Sequence, residues 1–262
     1  MTTVALKALA TCVYMILTFS SGLLVRAQIE VAARGSLDRY GDIACDDAMA
    51  RLDNFATALT DVPNSQAYVL VYDGVVKLPG RVLSHMNFTK GHLTNTRGIE
   101  EHRIKVVFGG QRQELTVELF VVPKGAAPPM PMPTTEVKGV SRISHKFDEG
   151  FVSVYKGRTG RAELVTYELC PLGSPDIAEY AKTLRESQTS MAHIIIYSRY
   201  NQRYSEIKTI SKLLRRSLVT EERIETQRIS IMHGGRREAS FLELWLVPNG
   251  AAPPKPSPLR KK

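Results

Sequence analysis

The chain is poor in the residues that most chemistry needs. It has 262 residues with three cysteines and six histidines. The histidines do not fall at metal-ligand spacing: His85 and His92 are seven apart, with no i+4 partner and no nearby cysteine. A Gly-rich phosphate loop, a Gly-x-Ser-x-Gly elbow and a Cys-His nucleophile constellation are all missing. No cofactor, metal site or catalytic role is therefore expected, and the chain reads as a non-enzyme. Acidic residues are also in deficit, 26 against 35 Lys plus Arg, for a formal charge of +9. The excess is scattered and lacks interleaved aromatics, which argues against nucleic acid and leaves a solvated basic surface attracted to anionic polymers.

Only the N-terminus carries a long apolar run. Lys7 precedes an uncharged stretch from Cys12 to Leu24, and Val-Arg-Ala (25–27) then offers small residues for cleavage before Gln28. This is the pattern of a secretory signal peptide; an uncleaved anchor is the alternative. The expectation is an exported protein, periplasmic or associated with the cell envelope. No other segment approaches the ~20 apolar residues of a membrane span.

What the chain does have is a copy of itself. Cys45 and Cys170 set an offset of 125, and Ala56/Ala181, Leu59/Leu184, Tyr72/Tyr197, Leu93/Leu218, Arg103/Arg228 and Ile104/Ile229 follow it without a gap. GGQR (109–112) matches GGRR (234–237), and VPKGAAPP (122–129) matches VPNGAAPP (247–254). A period this long is a duplicated domain, since solenoid units repeat every ~20–50 residues. The expected division is a signal peptide (1–27), a first repeat (28–124), a proline-rich linker (125–140), a second repeat (141–249) and a proline-rich basic tail (250–262). Proline segments of this kind act as semi-rigid spacers.

Within each repeat the periodicities alternate. Ala48, Leu52, Phe55, Ala56 and Leu59 form one helical face, with Asp46 or Asp47 placed to cap it. Ile177, Tyr180, Ala181 and Leu184 keep that face after Ser174-Pro175, read as N-cap and first helical residue. AYVLVY (67–72) and AHIIIY (192–197) read as strands buried on both faces. A second helix is marked by Ile207, Ile210, Leu214 and Leu218, and more weakly over Val82 to Leu93, where Gly91 costs about 1 kcal/mol. IKVVF (104–108) and ISIM (229–232) are strands, each followed by a Gly-Gly pair read as a hairpin turn. The last strand alternates Val117, Leu119, Val121 and Leu242, Leu244, Leu246 against Glu118 and Glu243. Gln28–Ala33 and Ala162–Leu169 are candidate first strands. The fold class is thus α/β, an α+β two-layer sandwich of two tandem β-α-β-α-β-β domains.

This order, with "ARLDNFATAL" (50–59) and "HLTNTRGIEEHRI" (92–104), resembles the OmpA-like C-terminal domain family of peptidoglycan-associated proteins. The resemblance implies binding of a peptidoglycan stem peptide by an acid after the second strand and an arginine early in the second helix, a charge-assisted clamp. Asp73 falls at the acid position; the helical position aligns with His85, and the nearest arginine is Arg81. In the second repeat Ser198 and Ile210 stand there, so the clamp is absent. The resulting expectation is a cell-envelope binding or scaffolding protein, with peptidoglycan or another anionic envelope polymer as partner. The alternative is a protein–protein or structural pair that has lost this binding.

Three further pairs recur. Arg112/Glu118 and Arg237/Glu243 read as cross-strand ion pairs on a solvated sheet face. Phe120 and Trp245, on the polar side of the last strand, are candidate contacts for a partner, the linker or the neighbouring domain. Cys45 and Cys170 read as free, buried side chains near a helix start, with an inter-domain disulfide as the rival.

Overall fold

The computed structural model describes residues 36–75, 78–134, 144–156, 158, 160–165 and 171–256. The expected signal peptide (1–27) and the candidate strand Gln28–Ala33 lie outside them.

Two similar mixed sheets, each with its helices, make two tandem α+β domains. The first runs β1 (Asp38–Tyr40), α1 (Cys45–Asp61), β2 (Gln66–Asp73), α2 (Pro79–Gly91), β3 (Ile104–Gln111) and β4 (Thr116–Val122). The second runs β5 (His145–Phe151), a hairpin of β6 (Ser153–Lys156) and β7 (Ala162–Val165), α3 (Ile177–Glu186), β8 (Ser190–Arg199), α4 (Tyr204–Arg216), β9 (Ile229–Arg237) and β10 (Phe241–Pro248). The sheets are ordered β1-β4-β2-β3 and β5-β10-β8-β9. β2/β3 and β8/β9 are parallel, and the other pairs in these sheets are antiparallel. Interior placement explains why β2 and β8 read as continuous apolar runs.

The alternating residues of the last strand face the helices as expected. Val117 and Leu119 join Leu52, Phe55 and Leu59 in one core, and Leu242, Leu244 and Leu246 join Tyr180, Leu184 and Leu214 in the other. Arg103 and Arg228 then fasten equivalent places. Each guanidinium donates to backbone carbonyls at the end of the first helix and the following turn: Leu59 and Ser65 for Arg103, Leu184, Ser187 and Ser190 for Arg228. Both second helices pass into a π turn, His92–Thr96 and Ser217–Glu221.

Several sequence expectations change. The Gly-Gly pairs are not turns; they lie inside β3 and β9, where the parallel register slips opposite Tyr72 and Tyr197. A β-carbon on Gly109 or Gly234 would sit 2.5 Å from the Tyr72 or Tyr197 ring, so glycine is required by contact. The first helix starts at Ala44 without a side-chain cap, leaving Asp46 and Asp47 in the first turn, where negative charge suits the dipole. α3 is capped by Asp176, which accepts from the Glu179 amide, rather than by Ser174. β7 covers Ala162–Val165 but pairs only with β6; the rest of the Ala162–Leu169 expectation lies outside the described residues.

The edge strand of the second sheet is β5 instead. Register identifies Asp148, opposite Leu244, with Asp38, opposite Leu119. The offset there is 110, so 15 residues (125 − 110) have entered the second repeat between its edge strand and first helix. They accommodate the β6–β7 hairpin.

The recurring ion pairs are buried. Arg112 donates to both Glu118 carboxylate oxygens at 2.9 and 3.2 Å and stacks 3.5 Å from the Tyr72 ring centroid. Arg237 bonds Glu243 at 3.0 Å and stacks 3.5 Å from the Tyr197 ring centroid. Glu118 and Glu243 are almost wholly shielded, so this face is not solvated. In the first half the proline segment covers it: the Met132 amide donates to the Tyr72 hydroxyl and the Thr134 amide to the Gln111 carbonyl. The described part of the linker therefore packs on its own sheet.

Cys45 is disulfide-bonded, against the expectation of a free thiol; its partner lies outside the described residues. The expectation rested on equivalent positions in separate domains being far apart. The two halves instead exchange side chains. Leu172 of the second half sits in the first core, and Leu83 of the first packs on the second.

Candidate functional site

Two of the three candidate clamp residues, Arg81 and His85, both reach the Asp42 carboxylate. Asp73 ends β2, is buried, and accepts a 3.4 Å bond from the Leu78 amide at the start of α2. Its carboxylate braces the loop into that helix. Arg81, one turn before His85 on α2, reaches the second half.

At that junction the N-terminus of α2 lands on β5. Gly80 approaches so closely that a β-carbon would meet Phe147 at 2.6 Å and the Asp148 β-carbon at 2.7 Å. Arg81 donates to the Leu172 carbonyl at 2.7 Å and the Glu149 carbonyl at 2.8 Å. Its Nε lies 3.6 Å from the Asp148 carboxylate, and its Nη1 lies 3.4 Å from Asp42. One guanidinium thus ties both halves together.

Asp148 has no exposed surface. Burial pushes its carboxyl up to about 7, while Arg81 and the amides of Glu149 and Asp176 pull the other way. Its Oδ2 has no hydrogen-bond partner. His85 is also fully buried, with Nε2 3.5 Å from the Asp42 carboxylate. His85, followed by Arg81, holds the Asp42 carboxyl below its usual range against the effect of partial burial.

Beside the junction a cleft of about 1250 Å³ opens between the halves. Ser84, Asn87, Phe88, His92 and Asn95 line it from α2 and its π turn. Arg161, Ser174, Asp176 and Arg216 line it from the second half. Ser84 and Ser174 are both buried, and neither hydroxyl has a hydrogen-bond partner.

The candidate contact aromatics differ from each other. Phe120 is buried with Leu70 and Tyr72, and Ala126 of the proline segment packs on that cluster. Trp245 is half-buried; its Nε1 donates to Glu243 and Lys146 lies 5.2 Å from its ring. Sequence reasoning missed Asp148, Asp42, Ser84 and Ser174. The 15-residue insertion hid the match of Asp148 to Asp38, and Ser174 looked like a helix cap.

No group of His, Cys, Asp and Glu among the described residues could hold a metal ion. No helix among them is long and apolar enough to cross a membrane. No protein-family model matches the chain, and no curated protein matches it.

Proposed function

We propose that the protein is an exported, non-catalytic scaffold of the cell envelope, a structural pair of OmpA-like domains that no longer binds stem peptide. The observation that carries this reading is Arg81. The resemblance puts a carboxylate-binding arginine at the start of the second helix, and Arg81 does meet a carboxylate there, Asp148 of the neighbouring half. On this reading the Asp148 carboxylate stands in for the one a stem peptide would offer. In the second repeat Glu206 replaces Arg81 and Ile210 replaces His85, so that copy has no substitute clamp. The basic surface remains, and it supports loose, salt-sensitive attraction to anionic envelope polymers.

The test is sedimentation of the protein, freed of residues 1–27, with purified peptidoglycan across a salt series. Co-sedimentation should disappear at moderate salt and be the same for Asp73→Ala. Salt-resistant binding that needs Asp73 would replace this reading with a specific wall receptor.

A further inference from the structure

The fold gathers charge that the sequence holds apart. The inserted β6–β7 hairpin carries Lys156, Arg158 and Arg161 against one acid, Glu163. The stretch 199–216, from the end of β8 through α4, carries Arg199, Arg203, Lys208, Lys212, Arg215 and Arg216 against Glu206 alone. The two segments hold +2 and +5, seven of the chain's nine net positive charges. They are neighbours in space, because Val154 and Leu164 of the hairpin pack on the core that Ile207, Ile210 and Leu214 of α4 help to form. The excess is one basic surface, against the scattered distribution expected from the sequence.

That surface faces outward. Ile207, Ile210 and Leu214 take the buried face of α4, which leaves Lys208, Lys212 and Arg216 in a row four residues apart on the other. All three are exposed, as are the three hairpin cations. None of the nine makes an ion pair among the described residues. Like charges at this spacing weaken a helix, so the row does nothing for the fold itself. The first repeat lacks the hairpin, and on its α2 Arg81 pairs with Asp148 and Lys90 with Glu101.

Aromatic rings edge the surface at one end. Phe151, Tyr200 and Tyr204 are 46%, 48% and 67% exposed. Phe151 stacks edge-on against Phe241, the Gln202 amide oxygen accepts from the adjoining Ser240, and the Lys208 ammonium lies 5.1 Å from the Tyr204 ring. These rings gather at the rim instead of alternating with the cations along α4, unlike the stacking residues of a nucleic-acid groove.

An anionic bilayer answers both parts. A flat sheet of phosphate headgroups matches a row of cations on a helix about 20 Å long. Clusters of roughly four to eight Lys and Arg on an amphipathic helix select acidic lipid, and tyrosine rings, apolar in the body and polar at the tip, sit at headgroup depth. We propose that the hairpin and the outer face of α4 form a docking surface for an anionic lipid bilayer. This goes beyond the scaffold reading and needs only the fold of the second domain.

The test is vesicle flotation of the protein freed of residues 1–27, every described element of both domains lying beyond them. One set of vesicles is phosphatidylcholine alone, and the other contains about one third phosphatidylglycerol. The protein should float with the acidic vesicles at ~0.1 M salt, stay behind with the neutral ones, and be released at ~1 M salt. Lys208→Gln with Lys212→Gln should weaken binding roughly tenfold or more, and Tyr204→Ala about threefold, with melting temperatures unchanged. Lys105→Gln with Lys124→Gln removes two exposed cations of the first half and should change binding by no more than about twofold. No flotation with acidic vesicles, equal losses from the two lysine pairs, or tighter binding to a single-stranded oligonucleotide than to the vesicles would overturn the assignment. Purified peptidoglycan contains no phospholipid, so wall sedimentation reads the scaffold hypothesis separately.

Discussion

Replacing Arg81 by Met tests the junction most directly. The variant keeps much of the aliphatic stem and removes the guanidinium, with its two short bonds to the Leu172 and Glu149 carbonyls. It also leaves Asp148, which has no exposed surface, without its nearest cation. Breaking a buried charge pair from one side costs about 3–5 kcal/mol, and that is the loss expected in urea unfolding at pH 8. The loss should be smaller at pH 5.5. The Asp148 carboxyl is raised to about 7 in the fold from an ordinary value of 3.8. A raised carboxyl binds its proton more readily in the folded state, so its contribution is most favourable at low pH. That contribution falls as pH rises from about 4 to 7. At pH 5.5 Asp148 is neutral in both proteins, and only the two carbonyl bonds remain to be lost, about 1–3 kcal/mol. Asp42 pairs with the same arginine, so the comparison is made as the difference between wild type and variant at each pH. An equal loss at both values, or one below about 1 kcal/mol, would refute the argument.

Two glycines of α2 should respond with opposite signs to alanine. Gly80→Ala forces a β-carbon to 2.6 Å from Phe147 and should lower stability by about 1–3 kcal/mol. Gly91→Ala meets nothing nearer than 3.9 Å and should raise it by up to about 1 kcal/mol through helix propensity; thermal melts of the pair check both. Arg223 holds φ +59° where the first repeat has Gly98 at +66°. Arg223→Gly should therefore stabilise by about 1 kcal/mol in urea titration. Gly109→Ala and Gly234→Ala should each destabilise by about 1–3 kcal/mol, since the tyrosine rings are fixed beneath a stacked arginine; near-ultraviolet dichroism would report the displaced tyrosines.

The layer order was legible because it rests on periodicity present twice. β2 and β8 announce themselves as unbroken apolar runs, and the last strand alternates strictly. Arg103 and Arg228 recur because each satisfies carbonyls that the first helix leaves open. The Gly-Gly pairs misled because glycine serves both a tight turn and a close backbone approach. Only the tyrosine packed against each pair tells which. The edge strand of the second sheet was hidden by the inserted hairpin, which breaks the constant offset. The junction was least legible. Gly80, Arg81 and His85 have no matching types in the second repeat, and Asp148 lies 67 positions beyond Arg81 in the sequence (148 − 81).

That asymmetry explains why the contact between these two repeats is not one that either repeat could offer again. The contact is heterologous: the α2 surface of the first half meets the edge strand of the second, and such contacts propagate into open chains when both surfaces recur on each unit. Here neither does. On the second half the donor surface has become Ser205, Glu206 and Ile210 in place of Gly80, Arg81 and His85. A glutamate there would repel the carboxylate that Arg81 holds, and a serine side chain would clash where glycine makes room. On the first half the acceptor strand keeps an acid at the equivalent position, Asp38, but Arg51 of its own α1 engages both carboxylate oxygens at 2.7 and 2.8 Å. Residues identical in both repeats, such as the stacked tyrosine, arginine and glutamate set, serve the interior of each domain. Those that differ between the repeats determine which surfaces can meet.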